Sequence, residues 1–277
     1  KFVDVEVETL NINPDKIEEA ITPDTVAIKV VHTMGKMCEM DKIRSIADRY
    51  NLKVIEDSCE AHGAKYKGAY PGEYGDMATF SFYIAHLICC GEGGMVSTNN
   101  STIADCVDST RSHGRVPGSL YFDHVRNGFN SKMNDMEASL GLEGVEDFWD
   151  TFHVRKKNLY YFMDKLSKYK SRMWMNTESE NEEVCPHGFS MTFKDPKFDV
   201  DSFSRYLTVN EINNKRNFGS IPTQHKAFEF MGHKLGDFPC SEYIGNHGIH
   251  IGCHKYLSGS DLSYIVDTIS KYLDRND

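Results

Sequence analysis

The sequence lacks the features that would assign it to a membrane, nucleic-acid-binding or secreted class. No apolar run approaches the roughly 18 residues of a membrane span, and the start shows no signal-peptide pattern. The net charge of −10 argues against a surface for nucleic acid or anionic lipid. The eight cysteines include no C-x-x-C pair and are typical of reduced thiols. These absences predict a cytoplasmic protein.

The first 98 residues alternate candidate strands with candidate helices, a rhythm typical of an α/β sheet. The predicted strands are 2–6, 26–32, 52–55, 77–83 and 94–98, and the predicted helices are 13–20 and 41–50. Asn13 and Pro14 are a suitable N-cap and first turn for the earlier helix. We interpret 26–32, which is apolar except at Lys29 and the terminal His32, as a continuous apolar run of the kind expected of a parallel strand covered on both faces.

The remainder of the chain changes in texture after about residue 172. The stretches 101–112 and 133–170 are predicted to be helical. Beyond them, the predicted elements are a strand at 189–193, a helix at 199–207, a strand at 249–252 and a helix at 261–273. We therefore expect a large α/β domain over residues 1–165 and a small α+β domain over residues 166–277.

Polar side chains follow two predicted neighbouring strands at their carboxyl ends, where open α/β sheets bind ligands. Asp57 and Glu60 follow one strand, and Ser81 and His86 follow the next. Each residue also has an ordinary structural interpretation: a turn or helix cap for Asp57, a small core residue for Ser81 and a hydrogen-bonding side chain for His86. Their grouping favours a site.

These residues belong to a long ordered set of motifs. Residues 56–63 read Glu-Asp-Ser-Cys-Glu-Ala-His-Gly, 81–83 read Ser-Phe-Tyr, 91–94 read Gly-Glu-Gly-Gly and 128–133 read Gly-Phe-Asn-Ser-Lys-Met. The set resembles the DegT/DnrJ/EryC1/StrS family of sugar aminotransferases over essentially the whole chain. The resemblance implies the pyridoxal phosphate (PLP)-dependent aminotransferase fold type I, with a mainly parallel sheet and a smaller C-terminal α+β domain. It also implies a homodimer, and a family region ahead of residue 1 that this chain is expected to lack.

His86 occupies the position at which that family normally carries its cofactor-binding lysine. An imidazole cannot form the lysine's Schiff base, but it can move a proton. The resemblance is closest, in the spacings Ser-x4-His and Asp-x-x-Glu, to the histidine-bearing GDP-4-keto-6-deoxymannose 3-dehydratases. It implies loss of the C3 hydroxyl from a nucleotide-linked 4-keto-6-deoxyhexose, in deoxysugar and lipopolysaccharide biosynthesis. Two alternatives stay open, namely an aminotransferase-like protein and a truncated non-catalytic homologue.

The resemblance also implies a role for each candidate residue. His86 is the catalytic base, Asp57 holds the pyridine nitrogen of PLP or of its amine form, pyridoxamine phosphate (PMP), and Glu60 lies near the ring hydroxyl. Ser81 binds the cofactor phosphate, and Asn130 reaches the same phosphate across a dimer interface. Glutamate is the expected amino donor that regenerates PMP.

The substrate side and the metal content are also predicted by resemblance. Arg216, the stretch 218–224 and His254 resemble elements that approach the sugar nucleotide, although a solvated surface charge is an equal alternative for Arg216. We expect no iron–sulfur cluster, because related clusters use cysteines after the glycine-rich loop and residues 111–129 contain none. A zinc site at His250, Cys253 and His254 is disfavoured because adjacent strand residues face opposite ways.

Overall fold

The chain forms two four-stranded sheets with covering helices, in a computed structural model that describes residues 1–218 and 221–275. The strands are β1 (Ala27–Val31), β2 (Lys53–Asp57), β3 (Lys65–Tyr66), β4 (Met77–Ser81), β5 (Gly94–Ser97), β6 (Met173–Met175), β7 (Glu182–Glu183), β8 (Phe189–Phe193), β9 (Asn214–Arg216) and β10 (Gly248–Ile251). The helices are α1 (Ile17–Ala20), α2 (Met40–Arg49), α3 (Ser101–Arg111), α4 (Asp135–Glu146), α5 (Phe148–Lys165), α6 (Val200–Val209), α7 (Pro239–His247) and α8 (Gly259–Arg275). The predicted α/β class is confirmed. In this part of the chain, no helix is both long and apolar enough to cross a membrane.

The first sheet has the strand order β1-β2-β4-β5, with β1, β2 and β4 parallel and β5 antiparallel to β4. Helix α2 covers it with the side chains of Met40, Ile43, Ile46 and Ala47, which recur at helical spacing and are all buried. The parallel arrangement brings the carboxyl ends of β2 and β4 to one edge, because Asp57 pairs with Thr79 in the ladder.

Two details of the predicted first sheet are wrong. Residues 2–6 form no strand and contribute only an isolated bridge between Val5 and Ile12. The apolar run 26–32 was expected to be covered on both faces, but β1 buries only alternate residues and leaves Lys29 and Val31 exposed. Strand β1 is the edge strand of this sheet, and the described chain covers just one of its faces.

Asp4 explains why the first residues are not a strand. Its carboxylate accepts hydrogen bonds from the backbone amides of Cys240 and Ser241 at 3.0 and 2.9 Å, and from the Ser241 hydroxyl at 2.8 Å. These amides belong to the first turn of α7, so Asp4 satisfies donors that the helix itself leaves unpaired. The start of the chain is thereby tied to a helix near its other end.

The second sheet is antiparallel throughout, with the order β6-β8-β10-β9. Every residue of its central strand β8 is buried. One face packs against α5, α6 and α8 to form the larger core, to which β8 and β10 contribute Phe189, Met191, Phe193, Ile249 and Ile251. These elements confirm the predicted strands and helices of the C-terminal part.

The long helical prediction at 133–170 resolves into α4 and α5, which meet at Asp147. Helix α5 takes part in both cores, because Phe152 is buried in the core of the first sheet and Leu159 and Phe162 are buried in the core of the second. Helix α4 is different: none of its residues is buried. The domain division at residue 165 stays a prediction.

Candidate active site

The carboxylate of Asp57 stands at the carboxyl end of β2, beside the end of β4. It lies 3.2 Å from the ammonium of Lys29 and accepts a 3.5 Å hydrogen bond from the backbone amide of Cys59. Burial raises the pKa of Asp57, but the hydrogen bonds from Cys59 and Lys29 and the Lys29 charge outweigh it and lower the pKa below its ordinary value. The group is therefore a carboxylate, already shown here to accept a cationic partner.

The loop after β4 carries His86 back towards this edge. The Ser81 hydroxyl accepts a hydrogen bond from the Tyr83 amide at 3.2 Å, and the His86 amide donates to the Tyr83 carbonyl at 3.0 Å. These contacts form a tight turn that fixes the His86 backbone. The ring is half-buried, and its Nδ1 has no hydrogen-bond partner in the described chain although it is buried. An unpartnered ring nitrogen is free to exchange a proton.

Two further imidazoles lie against His86. The ring centroids of His62 and His86 are 5.8 Å apart with a 32° angle between planes, and those of His86 and His187 are 5.4 Å apart with a 37° angle. His62 is buried with both ring nitrogens unpartnered, and His187 has an unpartnered Nδ1. We call His62, His86 and His187 the histidine cluster.

Arg155 lies beside the histidine cluster on α5. Its guanidinium is buried and donates to the carbonyls of Pro186 at 3.0 Å and His187 at 2.7 Å. Within the described residues, no ion pair includes it. A buried cation without a carboxylate partner disfavours protonation of its neighbours.

The pKa values of the histidine cluster follow from this environment. Burial and the Arg155 charge lower the pKa of His86, and the Asp57 carboxylate opposes them. Burial and the His86 charge lower the pKa of His62 to about 4, the Ser81 backbone opposes them, and the Arg155 charge adds a further lowering. The same three causes lower the pKa of His187 to about 3. At neutral pH all three rings are neutral, which leaves His86 able to accept a proton.

Glu60 joins the two sides of the site. Its carboxylate accepts a hydrogen bond from the Met34 amide at 2.6 Å and lies 3.5 Å from Nε2 of His187. Because His187 has so low a pKa, this is a contact with a neutral ring rather than an ion pair at neutral pH. Burial raises the pKa of Glu60, the Met34 amide opposes it, and the Asp57 charge adds to it.

The structure does not bring three predicted residues into contact with this group. Arg216 pairs with Asp201 and donates to the Asn246 carbonyl at 2.8 Å; it sits opposite Ile249, on the core face of the sheet. His254 lies exposed beyond the end of β10. Asn130 is exposed and pairs with Ser112.

Within the predicted stretch 218–224, residues 219 and 220 lie outside the described part of the chain. His250, considered for zinc with His254, does lie within β10. The strand ends at Ile251, so the strand alternation used in that argument does not extend to Cys253 and His254.

Sequence reasoning missed four residues of the site, which are Lys29, His62, Arg155 and His187. His62 lay inside a quoted motif and His187 precedes a buried strand, so a search for histidines beside the sheet edges would have found both. Lys29 is the single charge in an apolar strand. Arg155 gave no signal, because one more basic residue in a basic helix indicates solvent exposure.

Comparison with known proteins places the chain among sugar-modifying enzymes. The profile of the DegT/DnrJ/EryC1/StrS aminotransferase family matches residues 1–270. A pleiotropic regulatory protein of Geobacillus stearothermophilus is 43% identical over 98% of this chain and 72% of its own length. The GDP-perosamine synthase of Caulobacter vibrioides is 31% identical over 98% of this chain and 72% of its own. The dTDP-4-dehydro-2,6-dideoxy-D-glucose 3-dehydratase of Saccharopolyspora spinosa is 29% identical over 98% and 64%.

Solved structures share the fold. A mutant of GDP-4-keto-6-deoxymannose-3-dehydratase with bound GDP-perosamine superposes with a TM-score of 0.88 and 25% identity, over 97% of this chain and 74% of that one. A Streptococcus pneumoniae protein described as a sugar aminotransferase, in its PMP form, superposes with a TM-score of 0.89 and 20% identity, over 99% and 75%. These relatives include both enzymes that remove a hydroxyl and enzymes that install an amine.

Proposed function

Because the chain belongs to the DegT/DnrJ/EryC1/StrS aminotransferase family, we propose that it removes the C3 hydroxyl of a nucleotide-linked 4-keto-6-deoxyhexose. PLP and its amine form PMP are the cofactors of this family. Its members act on nucleotide sugars and include 3-dehydratases as well as aminotransferases. The proposal selects the dehydratase branch for this chain.

The observation that carries the proposal is His86 in place of lysine. A lysine amine can hold the cofactor covalently and receive it back after each amine transfer. An imidazole has no such chemistry but serves well as a proton acceptor near neutral pH. The buried, unpartnered Nδ1 of His86 and its lowered pKa support a neutral base.

The residues around His86 fit the cofactor. Asp57 is a half-buried carboxylate whose one cationic partner among the described residues is the exposed side chain of Lys29, so it can exchange that partner for a protonated pyridine nitrogen. In the part of the chain that the structure describes, the Ser81 hydroxyl oxygen accepts one hydrogen bond and its proton is not used, so it can donate to a phosphate oxygen. Glu60, with its raised pKa, is placed to share a proton with a ring hydroxyl. When bound, the cofactor supplies an electron sink for a carbanion.

Each residue around the cofactor site has a separate role in the proposed elimination. Asp57 keeps its negative charge and so favours a protonated nitrogen opposite it. His86 accepts the proton whose removal starts the elimination, and can return it to the departing C3 hydroxyl. The rings of His62, which is buried, and His187, whose side chain is 11% exposed, lie against His86 and limit the access of water to its ring.

Substrate and assembly follow the family as further parts of the proposal. A nucleotide sugar carries a diphosphate, for which Arg216 and His254 are our candidate partners after rearrangement from the contacts seen here. Glutamate is the proposed amino donor. We propose that the working unit is a homodimer in which Asn130 reaches the cofactor phosphate bound by Ser81 of the partner, since Asn130 is exposed and touches nothing at this chain's own Ser81.

A reduction experiment tests the role of His86. The full chain is incubated with PLP, reduced with borohydride and digested, and the peptides are weighed by mass spectrometry. We expect no pyridoxyl group on any active-site residue. The matched control is His86→Lys, which restores an amine at the same position and should be labelled there. Stoichiometric labelling of a neighbouring lysine such as Lys29 in the natural chain would contradict the proposal.

Product analysis separates the two family chemistries. The chain is supplied with PMP, glutamate and GDP-4-keto-6-deoxymannose, and the sugar product is identified by mass and by NMR. Loss of the C3 hydroxyl supports the proposal, and the His86→Asn variant should lose this activity while still binding PMP. A stable 4-amino sugar as the product would place the chain with the aminotransferases instead.

A further inference from the structure

We propose that the histidine cluster with Arg155 accepts a single proton and directs it to His86, so that His62, His187 and Arg155 are positioning residues for the catalytic base. This inference rests on the proposed function for the role of His86, but the electrostatic arrangement can be measured without substrate or cofactor.

The geometry makes the three rings one electrostatic unit. His86 lies between neighbours on two sides, with centroid distances of 5.8 Å to His62 and 5.4 Å to His187. At such distances a positive charge on one ring strongly disfavours a second charge in a low-dielectric surrounding. A charge on His86 accordingly opposes protonation of both neighbours.

Arg155 adds a permanent positive charge to this unit. Its guanidinium is held by the carbonyls of Pro186 and His187, so it cannot turn away. Its charge acts on all three rings of the cluster. An arginine does not deprotonate in proteins, so the repulsion persists at every working pH.

The surrounding charges are unevenly distributed. Asp57, on the β2 side, attracts a proton to His86. The rings of Tyr83 and His86 are 6.3 Å apart within the same loop. The acidic group nearest His187 is Glu60 at 3.5 Å, and burial favours its neutral form.

The groups of the described chain that lie beyond His187, away from His86, also carry no negative charge that would attract a proton to it. His250, on β10, opposes protonation of His187, and Lys215 on the neighbouring strand opposes protonation of His250. His62 has no carboxylate among the groups that act on it. Although Glu60 lies beside His187, burial and the charges of His86, Arg155 and His250 lower the pKa of His187 to about 3. Asp57, by contrast, attracts a proton to His86, which is the least buried of the three rings.

For the reaction, the consequence is that the abstracted proton resides on His86 and not on His62 or His187. If His62 or His187 could take the proton instead, His86 would be left charged or neutral at random when substrate arrived. With both neighbours kept neutral, a proton removed from the reacting carbon stays on His86 and is available to the leaving hydroxyl. The cluster thus holds the proton at the reacting atoms rather than relaying it to solvent.

Histidine titration by NMR tests this directly. The full chain is labelled with ¹³C at the histidine Cε1, and each signal of the cluster is assigned by its loss in His62→Asn, His86→Asn or His187→Asn. We expect the His86 signal to titrate first as the pH falls, and the His62 and His187 signals to remain those of neutral rings at pH 5. Titration of His62 or His187 before His86 would overturn the proposal.

Two variants test the cause. In Arg155→Gln, which keeps a donor but removes the charge, the midpoints of the cluster should rise by about one pH unit. Arg155→Lys should retain the natural midpoints, and Lys157→Gln, the same charge change at an exposed position of α5, should leave them unaltered. If Arg155→Gln does not fold, His86→Asn serves instead: removing the first proton acceptor should raise the His62 midpoint.

Unchanged midpoints in the folded Arg155→Gln variant, or in His86→Asn where that variant does not fold, would refute the positioning role. Because no substrate or cofactor enters these titrations, they fail independently of the dehydration assay. A one-proton cluster in a chain that produces an amino sugar would refute the proposed function alone. Dehydration by a chain whose three rings titrate independently would refute this inference alone.

Discussion

The negative charge of Asp57 is expected to matter much more for catalysis than for the stability of the fold. Its ion pair with Lys29 involves an exposed ammonium, and such pairs contribute only about 0–1 kcal/mol to stability. A charge-assisted hydrogen bond to a bound cofactor contributes about 1.5–3 kcal/mol. We therefore expect Asp57→Asn to lower turnover by roughly tenfold or more while changing the free energy of unfolding by less than about 1 kcal/mol.

Steady-state kinetics and urea unfolding on the same preparation check this prediction. Lys29→Gln is the matched control, since it removes the partner of Asp57 and should leave turnover near its natural value. A variant Asp57→Asn that is unfolded, or that turns over normally, would remove Asp57 from the cofactor site.

His62 makes the fold sensitive to acid. Its pKa is about 4 in the folded chain against about 6.5 in an unfolded one, so the unfolded state binds more protons between these values. Stability from this group is therefore present above pH 6.5 and is lost as the pH falls towards 4. In His62→Phe, the fall in the free energy of unfolding between pH 7 and 4.5 should be smaller by roughly 2 kcal/mol.

Denaturant unfolding of both proteins at the two pH values gives the comparison. The Ser81 backbone is the one polar group of the described chain that acts on the His62 ring through a hydrogen bond, so phenylalanine removes at most that contact and should be tolerated at pH 7. An identical pH dependence in the two proteins would show that the pKa of His62 is the same in the folded and the unfolded chain.

The residues that the sequence predicted and those that it did not differ in a physical way. Asp57, Glu60, Ser81 and His86 follow strand ends, and the parallel register brings such ends to one edge, so their proximity could be predicted. Arg155 could not be predicted, because its place depends on how α5 packs between two sheets. Pattern analysis does not distinguish a buried guanidinium from a solvated one.

At the scale of elements, the cap of α7 shows what short-range patterns miss. Asp4 caps a helix that begins 235 residues later along the chain. Burial raises the pKa of Asp4, but the hydrogen bonds from Cys240 and Ser241 outweigh it and lower the pKa. We expect Asp4→Ala to lower the free energy of unfolding by roughly 2 kcal/mol.

The pH dependence of the Asp4 contribution has a defined sign. Because the folded pKa is lowered, the stabilisation is present above the unfolded pKa of about 4 and is lost as the pH falls through the folded value. Thermal unfolding at pH 7 and pH 3 should show a smaller difference between natural chain and variant at pH 3. Asp24→Ala, at an exposed acidic position, is the control and should behave like the natural chain.

Elements were predicted best where burial is periodic. The core face of α2 and the strand β8 were both predicted correctly, because the apolar residues of α2 recur at helical spacing and those of β8 alternate with Ser190 and Thr192. The prediction that β1 is buried on both faces was wrong, because an apolar sequence shows that residues can be buried but not that they are. Whether a strand is central or at an edge is decided by its neighbours in the sheet.

At the scale of the whole molecule, α4 presents a surface that a second chain can cover. Met136 and Leu140 are four residues apart on one side of this helix and are 81% and 58% exposed. Exposed apolar residues in such a group are typical of an interface. We expect the natural chain to sediment as a dimer, and the double variant Met136→Glu/Leu140→Glu to sediment as a monomer with little activity.

Analytical ultracentrifugation with a parallel activity assay checks the assembly. Val209, the last residue of α6, is 82% exposed, so Val209→Glu is a matched control that should stay dimeric. A natural chain that is monomeric and fully active would contradict the dimer and with it the role of Asn130 across the interface.

Helix α5 is a rigid connection between the two hydrophobic cores. Its 18 residues make a rod about 27 Å long, anchored by Phe152 in one core and by Leu159 and Phe162 in the other. Arg155 lies on α5 between the part of the helix packed in the first core and the part packed in the second. A tilt of one sheet relative to the other would therefore move Arg155 relative to the rings of the histidine cluster. We expect a change in the angle between the two sheets to alter the proton affinity of His86, because α5 carries Arg155 and is packed into both cores.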